Sequence, residues 1–103
     1  MIAGARESQI LESIRAVFAK ERETLAGRRV VLFGSRAIGR ARARSDFDIG
    51  IDGNDPLDAV SFARIADRID EIETLYRIDL VDMQATTARF RGNALSKFEV
   101  IYE

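Results

Sequence analysis

Residues 30–51, VVLFGSRAIGRARARSDFDIGI, contain the pattern that decides the fold of this chain. The stretch opens with Val30–Phe33, a continuous apolar run containing β-branched residues, which is typical of a buried strand. Near its end, every second residue is apolar, at Phe47, Ile49 and Ile51. This period of two predicts another strand, with one face buried and the other free to carry polar groups.

Helical patterns surround these two strands. A third strand is expected at 78–83, and the tail at 100–102 is compatible with an extra strand or with the end of the last helix. We expect helices over 6–26 (ended by Gly27), over about 35–40, from the cap Asp55 and Pro56 to about 73, and after a cap at Thr86 or Thr87. The alternation of helices and strands predicts an α/β (α+β) sandwich, with helices packed on one small mixed sheet.

Length and composition restrict the kind of protein this can be. The 103 residues suit a single domain, which we expect to span 1–103, and the 47% hydrophobic content is that of a globular chain. The net charge of −1 calls for no polyanionic partner, so we expect no direct binding to nucleic acid. Since no signal peptide and no membrane-spanning run is visible, and no Cys occurs, we expect a cytoplasmic protein.

The absence of His and Cys also restricts the possible chemistry. Without them there can be no Ser-His-Asp triad, no His general base and no zinc site built from imidazole or thiolate. Any chemistry must use carboxylates, hydroxyls, Arg and Lys. A bound metal would be a hard cation held by oxygen, with magnesium or manganese as the natural candidates.

Asp46 and Asp48 are the first candidate metal ligands. Residues two apart in a strand point to the same side, so both carboxylates would project from the same face of the sheet. Two like charges so placed repel each other unless a cation lies between them. An Asp-x-Asp pair is expected about 0.8 times by chance in this composition, so a solvated strand face is the alternative interpretation.

Gly34 and Ser35 make the pair more specific. They end a buried strand and open a helical segment, where backbone N–H groups and the helix dipole favour phosphate. A Gly-Ser placed ten residues before an Asp-x-Asp is expected only about 0.003 times by chance. The combination therefore predicts a phosphate site beside a carboxylate site.

These residues resemble the DNA polymerase beta-type nucleotidyltransferase superfamily. The fuller pattern, Gly34–Gly39 followed by Ser45–Ile49, is similar to its minimal nucleotidyltransferase (MNT) branch, with Ile38 standing where that branch often has a second Arg. The resemblance implies a third metal carboxylate from a later strand, and Asp79 has the matching context. It also implies two Mg²⁺ ions on Asp46, Asp48 and Asp79, with ATP or another triphosphate gripped by Gly34 and Ser35.

Other polar residues near the motif allow two interpretations. Arg36 is expected either to join Gly34 and Ser35 in binding phosphate or to form a surface salt bridge. Arg40, Arg42 and Arg44 are expected in a solvated loop, with an anionic contact as the alternative. Two further carboxylates are predicted to be structural rather than metal ligands: Asp82 at a strand end or turn, and Asp52 in a loop.

The resemblance implies transfer of a nucleoside monophosphate, AMP from ATP, to a hydroxyl group. Minimal nucleotidyltransferases commonly act beside a small helical HEPN protein, as the antitoxin of a toxin–antitoxin pair. AMP transfer to a tyrosine of such a HEPN toxin is therefore the expected reaction. Two alternatives remain: an antitoxin that acts by contact without catalysis, and transfer to a small molecule such as an aminoglycoside. A homo-oligomer is also compatible with so small a domain.

Overall fold

The computed structural model describes residues 2–39 and 45–103, with side chains from residue 6 onward. Within these residues the helices are α1 (Ile2–Ala19), α2 (Ala59–Asp70) and α3 (Ala88–Ala94). The strands are β1 (Arg29–Phe33), β2 (Phe47–Asp52), β3 (Ile78–Asp82) and β4 (Glu99–Tyr102). Short 3₁₀ turns follow two of the strands, at Gly34–Arg36 and Met83–Ala85.

The four strands form one mixed sheet in the order β3-β2-β1-β4. β1 pairs antiparallel with both β2 and β4, whereas β2 and β3 are parallel and are connected through α2. The predicted α+β sandwich with a small mixed sheet is thereby confirmed. The tail, for which the sequence allowed two conformations, is the edge strand β4.

Each face of the sheet has its own core. Helices α1 and α2 cover one face, where the larger core includes Ile14, Phe18, Leu32, Ile49 and Ile65. The opposite face has a smaller core of Val31, Phe33, Met83 and Ala94, the last of which comes from α3. Because α3 is short, this second face is only partly covered. It is also the face to which the even-numbered residues of β2 point.

The prediction that α1 extends to residue 26 is wrong, because the helix ends at Ala19. The next N–H groups bond three residues back, Lys20 to the Val17 carbonyl at 3.2 Å and Glu21 to the Phe18 carbonyl at 2.9 Å. The Glu21 side chain, only 8% exposed, then forms ion pairs with Arg64 and Arg68 of α2. The turns end at Gly27, whose φ of 77° is favourable only for glycine.

The predicted start of α2 at Asp55 and Pro56 is also wrong. The N-cap is Asp58, whose carboxylate accepts a hydrogen bond from the Ser61 N–H at 2.9 Å. Leu57 is held outside the helix because its N–H donates to the Asp82 carboxylate at 2.8 Å. The helix ends at Asp70 rather than near 73. At the last helix, Thr87 is the cap, as one of the two predicted choices.

None of the helices among the described residues has the length and apolarity needed to cross a membrane.

Candidate active site

Strand register brings the predicted carboxylates to one face of the sheet. Asp48 lies opposite Phe33 of β1 on one side and opposite Asp79 of β3 on the other. Directly paired residues point to the same face, so the two carboxylates project side by side from neighbouring strands about 4.8 Å apart. Asp46 lies two residues before Asp48, just ahead of β2. The Asp48–Asp79 neighbourhood is therefore a direct result of the parallel pairing of β2 with β3.

The turn after β1 lies against the Asp48 carboxylate. Gly34 has a φ of 76°, in the left-handed region, and opens the 3₁₀ turn that contains Ser35. A methyl group on Gly34 would overlap the Asp48 Oδ2 atom and lie 3.1 Å from its Cγ. The missing side chain at Gly34 is therefore what lets the turn and the carboxylate approach each other.

The clustered charge affects Asp48. Burial, the Asp79 carboxylate and the Asp46 carboxylate, in that order of importance, raise the pKa of Asp48 above its ordinary value of 3.8. Both neighbours are thus close enough for their negative charge to reach Asp48. The protein keeps three carboxylates near one another at a cost in stability, and a bound cation would remove that cost.

Asp79 has a cation partner within the chain. Its Oδ1 atom accepts a hydrogen bond from the Arg77 Nε at 2.9 Å. Among the described residues, no three carboxylates converge closely enough to hold one metal ion as they are arranged. Asp79 is directed to Arg77 while Asp48 is directed to Gly34, so the shared face is present but the side chains do not meet at one point.

The donor set fits magnesium. The residues that share this face supply carboxylate oxygens, the ligands that Mg²⁺ prefers, and the sequence has no His or Cys to favour a softer metal. Asp48 also has the raised pKa expected of a carboxylate among like charges. To share a cation with Asp48, the Asp79 side chain would have to turn away from its present partner Arg77.

Arg36 is the last residue of the turn that begins at Gly34. Its side chain is only 5% exposed, forms an ion pair with Glu7 of α1 and donates from Nε and Nη2 to the Ser45 carbonyl at 3.1 and 2.7 Å. Its guanidinium also lies 4.1 Å from the ring centre of Phe47 and 5.2 Å from that of Tyr76. Arg36 thus links the Gly34 turn to Ser45, which precedes Asp46, and to Tyr76, which precedes Asp79. Its ion pair is partly buried, since the Glu7 side chain is 35% exposed, and phosphate contact by Arg36 stays a prediction.

Arg36→Gln is expected to lower the free energy of unfolding by about 2–4 kcal/mol, because it removes a buried guanidinium from a partly buried ion pair and leaves the Ser45 carbonyl with a weaker donor. Urea unfolding measures the difference. Arg28→Gln is the matched control, since Arg28 pairs with an Asp55 side chain that is 76% exposed and should cost less. If Arg36 instead acts only as a phosphate ligand, stability will not change and the KM for ATP will rise.

The two carboxylates interpreted as structural have partners elsewhere. Asp82, 7% exposed, accepts from the N–H groups of Leu57 and Gln84, as expected of a strand-end residue. Asp52 was expected in a loop, which is wrong: it ends β2 and accepts from Arg29 and Gln84. The predicted loop residues Arg40, Arg42 and Arg44 lie outside the described residues.

The sequence interpretation missed Arg77. The signal was present, because Arg77 precedes Asp79 by two positions and so shares its side of the extended chain. The hydrogen bond to Asp79, and then the charges of Asp79 and Asp46, raise the pKa of Arg77.

Comparisons with known proteins bear on the family and the fold of the chain. A family model described as "Polymerase beta, Nucleotidyltransferase" matches residues 12–103. The "Probable protein adenylyltransferase MntA" of Haemophilus influenzae is 35% identical over 71 residues, which are 69% of this chain. The chain spans 62% of the length of that relative.

A solved structure has the same fold. It is described as "Crystal structure of the toxin-antitoxin with AMP-PNP" and superposes with a TM-score of 0.58, at 21% identity, over 85% of this chain and 72% of that one. The region matched by the family model includes the Gly34 turn and all three predicted carboxylates. The resemblance to nucleotidyltransferases that the motif indicated is thereby confirmed.

Proposed function

Because the chain belongs to the polymerase beta nucleotidyltransferase family, we propose that it transfers AMP from ATP to a hydroxyl group. The observation that carries the proposal is the register of Asp48 with Asp79, directly beside the Gly34 turn. The reaction needs a place for a triphosphate next to a place for cations, and these are the two features that this face of the sheet combines.

In this proposal Asp46 and Asp48 hold two magnesium ions, and Asp79 completes the set for one of them. Bound there, the ions would neutralise charge on the triphosphate and make the acceptor hydroxyl more acidic. The chain itself supplies hard oxygen ligands on one face of a rigid sheet. Two of the three carboxylates project from paired strands, so backbone hydrogen bonds fix the relative positions of their Cα atoms.

The phosphate tail would lie at the turn. Gly34 allows close approach to the backbone, and the Ser35 hydroxyl and the turn N–H groups donate to phosphate oxygens. The acceptor oxygen then forms a bond to the α-phosphorus while the bond from that phosphorus to the leaving pyrophosphate breaks. The proton of the acceptor hydroxyl passes to the carboxylate of Asp79, which lies one strand further from the turn than Asp48.

We further propose that the acceptor is a tyrosine on a partner protein of the HEPN type, which makes this chain the antitoxin of a pair. The name of the Haemophilus influenzae relative, a probable protein adenylyltransferase, supports a protein acceptor. The toxin–antitoxin complex with the same fold supports the kind of partner. The HEPN type of the partner is inferred from the resemblance of the motif to the minimal nucleotidyltransferase branch.

A contact-only antitoxin is the second candidate, and one observation favours it. Asp79 is paired with Arg77, so the three carboxylates do not converge as arranged among the described residues. A protein that only binds its partner would have no need for them to converge. The two candidates make opposite predictions about label transfer.

Incubation with ATP labelled on the α-phosphate, Mg²⁺ and the protein encoded beside it is expected to label that partner. Label should disappear with EDTA and with Asp46→Asn plus Asp48→Asn, because the cation site is then lost. Gel autoradiography and mass spectrometry measure the added AMP. Label that persists in the double variant would exclude the proposed mechanism, and tight binding without label would favour contact alone.

A further inference from the structure

Arg77 and Asp79 form an ion pair at the edge of the candidate cation site. The Arg77 Nε lies 2.9 Å from the Oδ1 atom of Asp79. Asp79 belongs to β3, the strand next to β2, and Arg77 lies just before this strand. The chain therefore already places one cation, its own guanidinium, against one of the carboxylates proposed to hold metal.

We propose that Arg77 competes with the metal for Asp79: it holds this carboxylate before metal and nucleotide bind and releases it when they arrive. The inference rests on the proposed function of the three carboxylates. It makes Arg77 a positioning residue, which acts through Asp79 and sets how tightly the site binds metal.

The surroundings allow the guanidinium to leave easily. The Arg77 side chain is 75% exposed, and that of Asp79 is 36% exposed, so the pair is weak and screened by salt. Both line a groove of about 380 Å³ between β3 and α2, which gives the released side chain open space. Release therefore requires one side chain to rotate and leaves the core unchanged.

The backbone of Arg77 has a separate role. Its carbonyl accepts a hydrogen bond from the Phe47 N–H at 2.9 Å, which joins the start of β2 to the start of β3. A side-chain substitution keeps this bond, so Arg77→Gln should fold and melt close to the wild type. Competition can thus be tested separately from strand pairing.

The test measures Mn²⁺ binding to the full chain without nucleotide. Electron paramagnetic resonance at low ionic strength detects the bound ion. Arg77→Gln should bind Mn²⁺ about 2–5-fold more tightly than the wild type, since removing a surface ion pair frees Asp79. Arg22→Gln removes the same charge from the exposed turn after α1 and should change affinity much less. Raising the salt concentration should shrink the difference between wild type and Arg77→Gln.

A double-mutant cycle identifies Asp79 as the intermediary. In an Asp79→Asn background, Arg77→Gln should give no more tightening than Arg22→Gln gives. Unchanged or weaker Mn²⁺ binding by Arg77→Gln, or tightening that survives in the Asp79→Asn background, would overturn the inference. If the wild type binds Mn²⁺ no better than Asp46→Asn plus Asp48→Asn does, the proposed function itself fails, and the two failures are distinguishable.

Discussion

Replacing Asp48 with Asn is expected to lower the rate of the proposed AMP transfer by at least about 10³-fold, because a proposed metal ligand and its negative charge are lost together. The same change should raise the melting temperature of the metal-free protein by about 2–5 °C, since it removes a carboxylate held among like charges. An activity assay and thermal melting of one sample measure both effects. Loss of activity with a gain in stability is the mark of a functional carboxylate.

The Asp48 variant also makes a prediction about pH. The folded state holds a proton on Asp48 more tightly than the unfolded chain does, because its pKa is raised above 3.8. The metal-free wild type should therefore gain stability from this group as pH falls from neutral through the raised pKa, and Asp48→Asn should lack that gain.

Asp52→Asn is the control on the same strand and face. It should lose stability, because the bonds of Asp52 to Arg29 and Gln84 are weakened, but it should keep its activity when folded. Equal activity of Asp48→Asn and wild type would exclude Asp48 as a ligand.

Gly34→Ala is expected to cost about 2–4 kcal/mol of folding free energy and at least about 10²-fold in rate. Two effects add at this position. A φ of 76° is unfavourable for Ala, and the new methyl group would overlap the Asp48 carboxylate. The turn and the carboxylate must then move apart, which separates the proposed phosphate site from the proposed cation site. Urea unfolding and the transfer assay measure the two losses.

Gly27→Ala separates strain from overlap. Gly27 has a φ of 77°, but a methyl group there would meet nothing within 4 Å. Gly27→Ala should therefore lose about 1–2 kcal/mol of folding free energy through backbone strain alone and should keep its full rate of transfer. If Gly34→Ala behaves like Gly27→Ala in both measurements, the Asp48 side chain can move away freely, and the close approach has no functional role.

Much of the fold follows from local patterns. The apolar run of β1 and the alternation in β2 predict two strands whose pairing buries a continuous face. Apart from Asp52, which ends β2, the errors described above lie at helix ends, and at the start of α2 a tertiary contact decided the cap. Asp55 and Asp58 are both suitable N-caps by sequence, but Leu57 is bound to Asp82 of β3, and this contact leaves Asp58 as the cap.

The sequence by itself determined the chemistry that this protein can use: a Gly-Ser turn, an Asp-x-Asp strand, and no His or Cys. A period of two is a local property, so it places Asp46 and Asp48 on one side without any knowledge of the rest of the chain. Only the tertiary structure decided which distant residues join them. Parallel pairing placed Asp79 beside Asp48, and contacts with Glu7, Phe47 and Tyr76 bury the Arg36 side chain. These relations depend on strand register and packing between segments far apart in sequence, and no local pattern encodes them.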